Sequence, residues 1–210
     1  IEDISHQLKT PLAALNIYNG ILQEEARDLP AIREFTELSE QELDRIETLI
    51  QSLLKMARLD AGTVMLNKQP EDIRDILEKV KEHFAFRAAR EGKEIRLESD
   101  GELYFSCDRL WLTEGLDNIV KNALDHTKAG DAIWISARRR AAVLQIVIRD
   151  NGSGIYPEDL YHIFKRFYRS RFSKDTQGIG LGLPLARSVV EMHGGNMEVD
   201  SEWGGGTVFT

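Results

Sequence analysis

The sequence predicts a two-helix hairpin followed by a domain that mixes strands and helices. Three observations lead there. Leu8, Leu12, Leu15 and Leu22, then Leu38, Ile46, Leu49, Leu53 and Met56, fall largely at three- and four-residue spacings or their sums, with charge between them. Beyond Ala61-Gly62 this pattern gives way to short β-branched or alternating runs interspersed with helical ones. Two glycine-rich stretches, Asp150-Asn151-Gly152-Ser153-Gly154 and Gly178-Ile179-Gly180-Leu181-Gly182-Leu183, punctuate the later part of the chain.

Bulk properties narrow the function classes. A chain of 210 residues fits one or two domains with a real core. A net charge of −8 disfavours non-specific binding to nucleic acid or to an anionic membrane. The single cysteine, Cys107, excludes an internal disulfide and a cysteine zinc cluster, and its setting reads as a buried strand thiol. No apolar run approaches the roughly 20 residues that span a bilayer. Ile1-Glu2-Asp3-Ile4-Ser5 has neither the basic start nor the apolar core of a signal peptide. The chain starts without Met and in mid-pattern, so it reads as a fragment, with no membrane contact of its own.

Residues 1–62 form the first expected domain and 63–210 the second. In the first, Asp28-Leu29-Pro30-Ala31 separates the helices. Two amphipathic helices without a third partner cannot bury both apolar stripes, so the hairpin is expected to dimerise into a four-helix bundle. Pro11 crowds the carbonyl of Gln7 and should bend or loosen the first helix beside His6. From the residues alone His6 is either a surface histidine near a kink or a nucleophilic imidazole with Lys9 and Thr10 close by.

In the second domain, residues 63–70 read as a short strand. Glu71 to Arg90 read as a helix with an apolar face at Ile73, Ile76, Leu77, Val80 and Phe84, capped by Gly92. Strands are expected at 94–98 and 103–106. Asp108 looks like the cap of a helix running to about His126. A strand pair follows at 132–138 and 142–149, with Arg138-Arg139-Arg140 at its solvated tip. Polar residues 170–177 read as a lid. A helix from Leu183 to His193 and closing strands at 196–201 and 207–210 complete the chain.

Three features carry chemistry. Asp150 ends the β-branched run and offers only acceptors, so it suits a ligand edge that donates, such as an exocyclic amine. The second glycine stretch runs into a helix, which presents backbone N–H groups to phosphate. Glu114, Asn118 and Asn122 recur every four residues and share one helix face, either solvated or turned to a polar ligand with Mg²⁺. His83, His126, His162 and His193 lack zinc-site spacing and read as structural or surface residues.

Together these stretches resemble the bacterial sensor histidine kinases of two-component systems, over essentially the whole chain. Ile4-Ser5-His6-Gln7-Leu8-Lys9-Thr10-Pro11-Leu12 resembles their phosphoacceptor box. Asn118-Ile119-Val120-Lys121-Asn122-Ala123 is similar to the asparagine box, and Phe164-Lys165-Arg166-Phe167-Tyr168 to the phenylalanine box. The two glycine stretches are similar to the family's glycine boxes.

The resemblance implies a hairpin for dimerisation and histidine phosphotransfer, then an α/β sandwich of the gyrase, chaperone and histidine kinase ATPase type. It implies ATP and Mg²⁺ as cofactors, a homodimer, and a response-regulator receiver domain as partner. The parent protein would be anchored in the cell membrane, with this fragment cytoplasmic. His6 is implied as phosphoacceptor, beside Gln7, and Thr10 as the residue that helps water dephosphorylate the regulator. Asp150 would hold the adenine amine, with Asn118, Lys121, Asn122 and Thr207 on the nucleotide and Asn122 and Glu114 toward the metal. Gly152, Gly154 and Ile155 belong to the first glycine box, Arg166 and Tyr168 to the phenylalanine box. Gly178, Gly180, Leu181 and Gly182 would bracket the phosphates.

Two departures stand out. Gln7 replaces the usual acid after the phosphoacceptor and cannot accept a proton, so either Asp3 substitutes or neutral His6 attacks unassisted. Asp125 stands where the family tends to have a Lys, which costs a favourable charge near the nucleotide. Two other readings keep the fold: an ATP-hydrolysing conformational switch, or a dimeric interaction module that acts chiefly as a regulator phosphatase.

Overall fold

The structure, a computed structural model, describes residues 2–26, 29–99, 101, 103–141, 143–170 and 180–210; of residues 2–11 and 31 it describes the backbone alone. The chain divides into two compact units, Ile1–Val64 and Met65–Thr210.

The first unit is a pair of packed helices, α1 (Glu2–Glu25) and α2 (Pro30–Asp60). α1 continues through Pro11 without a break. Pro30 sits in the first turn of α2, where a missing N–H costs nothing. Asn19 Nδ2 donates to the Thr36 carbonyl at 2.9 Å, tying the helices together through a buried contact. Leu12, Ala26 and Met56 are buried, but Leu15, Ile17, Tyr18, Ile21, Phe35 and Leu38 are 51–68% exposed. Among the described residues, one chain therefore leaves much apolar surface of the hairpin uncovered.

The second unit carries two sheets. β1 (Gln69–Asp72) and β3 (Tyr104–Cys107) form an antiparallel pair, and a five-stranded sheet runs in the order β2-β4-β5-β7-β6. Its strands are β2 (Glu94–Ser99), β4 (Ala132–Arg140), β5 (Val143–Asp150), β6 (Val199–Glu202) and β7 (Gly206–Phe209). β2 joins β4 in parallel; the other neighbours are antiparallel. The helices are α3 (Ile73–Arg90), α4 (Arg109–Asp125), the short α5 (Pro157–Leu160) and α6 (Gly182–Met192).

The core forms where α3, α4 and α6 meet the sheet. Ile73, Ile76, Leu77 and Val80 of α3 have 0% exposure, as do Ile133 and Ile135 of β4. Each such side chain contributes about 1.5–3 kcal/mol on burial. Gly115 lets α4 approach α6, since a Cβ there would lie 3.2 Å from Val189 Cγ1. On the sheet, Trp134 lies between the guanidiniums of Arg96 and Arg149, 5.7 and 5.6 Å from its ring centre.

Most boundaries shift by one to three residues from expectation. The strand expected across 63–70 is a correction: Thr63 to Lys68 form no strand, and β1 spans Gln69–Asp72. Pro70 is tolerated there because β1 has a partner on one side only, and Asp72 caps α3 by accepting from Arg74 N at 3.0 Å. Asp108 caps α4 as expected, its Oδ1 accepting from Leu110 N and Trp111 N at 3.1 Å. Cys107 is 1% exposed, and burial pushes its thiol up to about 11.

Candidate active site

β5 delivers Asp150 into the sheet between Ile133 of β4 and Thr207 of β7. Asp150 is 3% exposed, and this burial raises its carboxyl above the ordinary range. The backbone amides of Gly152 and Thr207 and the nearby His126 act in the opposite direction. The Gly152 amide donates to Asp150 Oδ1 at 2.9 Å.

The glycines of this loop are needed for space. A Cβ on Gly152 would lie 2.3 Å from the His126 carbonyl oxygen, and one on Gly154, whose φ is +66°, 2.0 Å from that of Glu202. Ser153 N donates to the His126 carbonyl at 3.0 Å, and Gly204 N to the Ser153 carbonyl at 2.7 Å. The loop is thus stitched to the end of α4 on one side and to the β6–β7 turn on the other. Asn151 has a purely architectural part, its Oδ1 accepting from Ala132 N at 2.8 Å.

Beside the loop opens a cleft of about 140 Å³. Of the residues singled out from sequence, Asn122, Gly154, Ile155, Tyr168, Gly180 and Thr207 line it. Asp150, Gly152 and Leu181 are buried and brace the walls. Asn118 turns to the start of α6: its Nδ2 donates to the Glu114 carbonyl at 2.8 Å, and a Cβ on Gly182 would meet its Oδ1 at 2.8 Å. Glu114, Lys121 and Arg166 are not among the described residues that line the cleft. Gly178 lies outside the described residues, as do the side chains of His6, Gln7 and Thr10 on α1.

Several wall residues were not anticipated. Tyr156 and Trp203 line the cleft, as do Asp159, Leu183 and His126. His126, read from sequence as structural or surface, stands on the cleft wall. His193 meets that expectation, with Nε2 accepting from Asp108 N at 3.0 Å and Nδ1 facing the Val189 carbonyl at 2.8 Å. Asp159 is buried and accepts from the Tyr168 hydroxyl at 2.5 Å. Phe167, at φ 61°, donates its N–H to the Gly180 carbonyl at 2.9 Å, and a Cβ on Gly180 would lie 2.6 Å from the Tyr168 carbonyl oxygen. Tyr168 and Gly180 are held together by these contacts.

Asp125 is engaged away from the cleft. Its Oδ1 accepts from Arg87 Nη2 at 2.6 Å, and Arg87 Nε also reaches Glu91 at 2.7 Å. The carboxylate serves an ion-pair network between α4 and α3, and it is not among the described cleft-lining residues.

Residues 1–62 match the His Kinase A (phospho-acceptor) domain, and residues 107–210 match the histidine kinase-, DNA gyrase B-, and HSP90-like ATPases. The whole chain is 32% identical, over 212 residues, to the sensor-like histidine kinase SenX3 of Mycobacterium tuberculosis and covers 52% of that protein. It is also 32% identical to the sensor protein SrrB of Staphylococcus aureus, covering 36% of it. The chain thus spans about half or less of these relatives. Among solved structures, full-length ShkA in complex with AMPPNP matches 99% of this chain and 44% of its own, with a TM-score of 0.82 and 27% identity. The Acinetobacter baumannii histidine kinase AdeS shares the fold at a TM-score of 0.69 and 22% identity, over 97% of this chain and 94% of its own. By these matches the chain belongs to the bacterial two-component sensor histidine kinases.

Proposed function

We propose that this chain is an ATP-dependent autokinase core that phosphorylates His6 and passes the phosphoryl group to an aspartate of a response-regulator receiver domain. One observation carries the nucleotide half: a loop braced by a buried acceptor, Asp150, shares one cleft with Asn122, Tyr168 and Gly180. Asp150 accepts from the adenine amine, and Ile155 and Thr207 flank the base. Gly180, Leu181 and Gly182 lead into the first turn of α6, where unpaired backbone N–H groups favour phosphate.

The residues also fit Mg²⁺. Mg²⁺ usually keeps waters and bridges to substrate phosphates, so a single side-chain oxygen from the chain suits it. Asn122 is the residue on the cleft that would bind it. Glu114 lies about 12 Å back along the helix, further than one bridging water spans, so Asn122 is the metal residue proposed. When bound, Mg²⁺ neutralises charge on the phosphates.

His6 attacks as neutral imidazole, the ordinary form near pH 7, so Gln7 need not act as a base. A new N–P bond forms as the bond from the γ-phosphorus to the ADP oxygen breaks, and the ring proton leaves to water. Thr10, four residues on, shares the helix face of His6 and supports a second activity, hydrolysis of the regulator's phosphoaspartate. The exposed stripe of the hairpin supports a homodimer bundled through α1 and α2. No helix of the described residues is long and apolar enough to cross a membrane.

The test is incubation with γ-labelled ATP and Mg²⁺, wild type beside His6→Ala. Acid-labile, alkali-stable label absent from the variant is the expected result. Wild type that binds ATP and dimerises yet takes no label would overturn the autokinase reading.

A further inference from the structure

Trp203 occupies the β6–β7 turn, whose other two residues, Gly204 and Gly205, have no side chain. The turn is anchored at several points. Gly204 N donates to the Ser153 carbonyl at 2.7 Å, and Ile155 N donates to Ser201 Oγ at 2.9 Å. A Cβ on Gly154 would lie 3.1 Å from Trp203 Cα, so the two backbones are in contact. The indole is stacked on Tyr156, ring centres 3.7 Å apart and planes 30° off parallel. Both rings line the cleft, yet Trp203 is 47% exposed.

A large aromatic held in place and left half uncovered at a cleft wall is suited to a flat ligand. We propose that Trp203, backed by Tyr156, is a stacking platform for the base of the bound nucleotide. The inference rests on the nucleotide reading above and adds a residue that reads the face of the ring, where Asp150 reads its amine edge. Ile155 and Thr207, on the same cleft, place the platform at the base end. Stacking is indifferent to ring substituents, because every base has a π-face. Trp203 therefore supplies affinity, and Asp150 supplies the choice of adenine.

The chain has three tryptophans, and neither Trp111 nor Trp134 lines the cleft among its described residues. A Trp111→Phe, Trp134→Phe variant makes Trp203 the sole indole reporter. Its emission should change on titration with ATP, at the same Kd that calorimetry gives. Trp203→Ala should weaken ATP and adenosine alike, each about tenfold, the loss of one stacked base. Trp203→Phe should restore most of the affinity, and both variants should melt as cooperatively as wild type. Unchanged emission while calorimetry records binding, or Trp203→Ala with wild-type affinity, would overturn the platform and leave the nucleotide site standing. Wild type that binds no nucleotide by calorimetry would overturn both.

Discussion

The two units of this chain hold themselves together by opposite means. In Met65–Thr210, three helices cover a sheet, and residues such as Ile76, Leu77 and Ile133 are sealed from solvent within one chain. In Ile1–Val64, Phe35 is 68% exposed and Tyr18 62%, while Leu12 and Met56 are among the few buried apolar side chains. A sheet with helices can close a core alone, whereas two helices cannot. On the proposed function the difference separates the tasks: the self-sufficient unit would bind nucleotide as a monomer, and the open hairpin would take a second copy.

The contrast is tested most severely by glycine. Gly154→Ala and Gly206→Ala put a Cβ 2.0 and 2.1 Å from carbonyl oxygens at positive φ, so each should cost more than ~3 kcal/mol and abolish cooperative melting of the second unit. Asp150→Asn should weaken ATP about 30- to 100-fold by calorimetry, the loss of a charged acceptor. The same change should raise the melting temperature at neutral pH. The raised carboxyl of Asp150 contributes stability below the ordinary Asp range, and this is lost as pH rises through its folded value. The gain in the variant should therefore vanish in acid, as melts from pH 7 down to about 3 would reveal.

In the hairpin, Phe35→Glu should weaken dimerisation at least about tenfold in sedimentation equilibrium, leaving nucleotide binding unchanged. Gly20→Ala, in mid-helix with nothing within 4 Å of the added Cβ, should stabilise the hairpin by about 1 kcal/mol, the reverse of the cleft glycines. Native chain at pH 8 should also leave Cys107 unlabelled by maleimide, because the buried thiol stays protonated until about pH 11. Labelling should follow unfolding.

Local features were legible in the sequence, and long-range ones were not. Asp108 could be read as a cap and Gly154 as a constrained turn because cap and turn chemistry repeats over a few neighbouring residues. The apolar face of α3 and the polar face of α4 follow from spacing. Trp203 and Tyr156 meet across widely separated turns, so no periodicity announces their stack. Asp125 could be placed on α4, but its pairing with Arg87 depends on how α3 crosses it. β1 went astray because a four-residue edge strand containing Pro70 carries almost no pattern. Parallel pairing of β2 with β4 is likewise invisible in the alternation that identifies each strand.

The position of Asp150 in its hairpin bears on folding order. The β4–β5 ladder runs from Arg140 opposite Val143, beside the turn, to Ile133 opposite Asp150 at the far end. Zipping from the turn reaches Asp150 last, and β7 must then arrive from a distant stretch of chain to complete its surroundings. On that order the floor of the cleft is expected to form late. Amides near Asp150 and Thr207 should exchange hydrogen faster than those of Ile135 and Ile148, and a ligand seated there should slow them by fastening three strand ends at once.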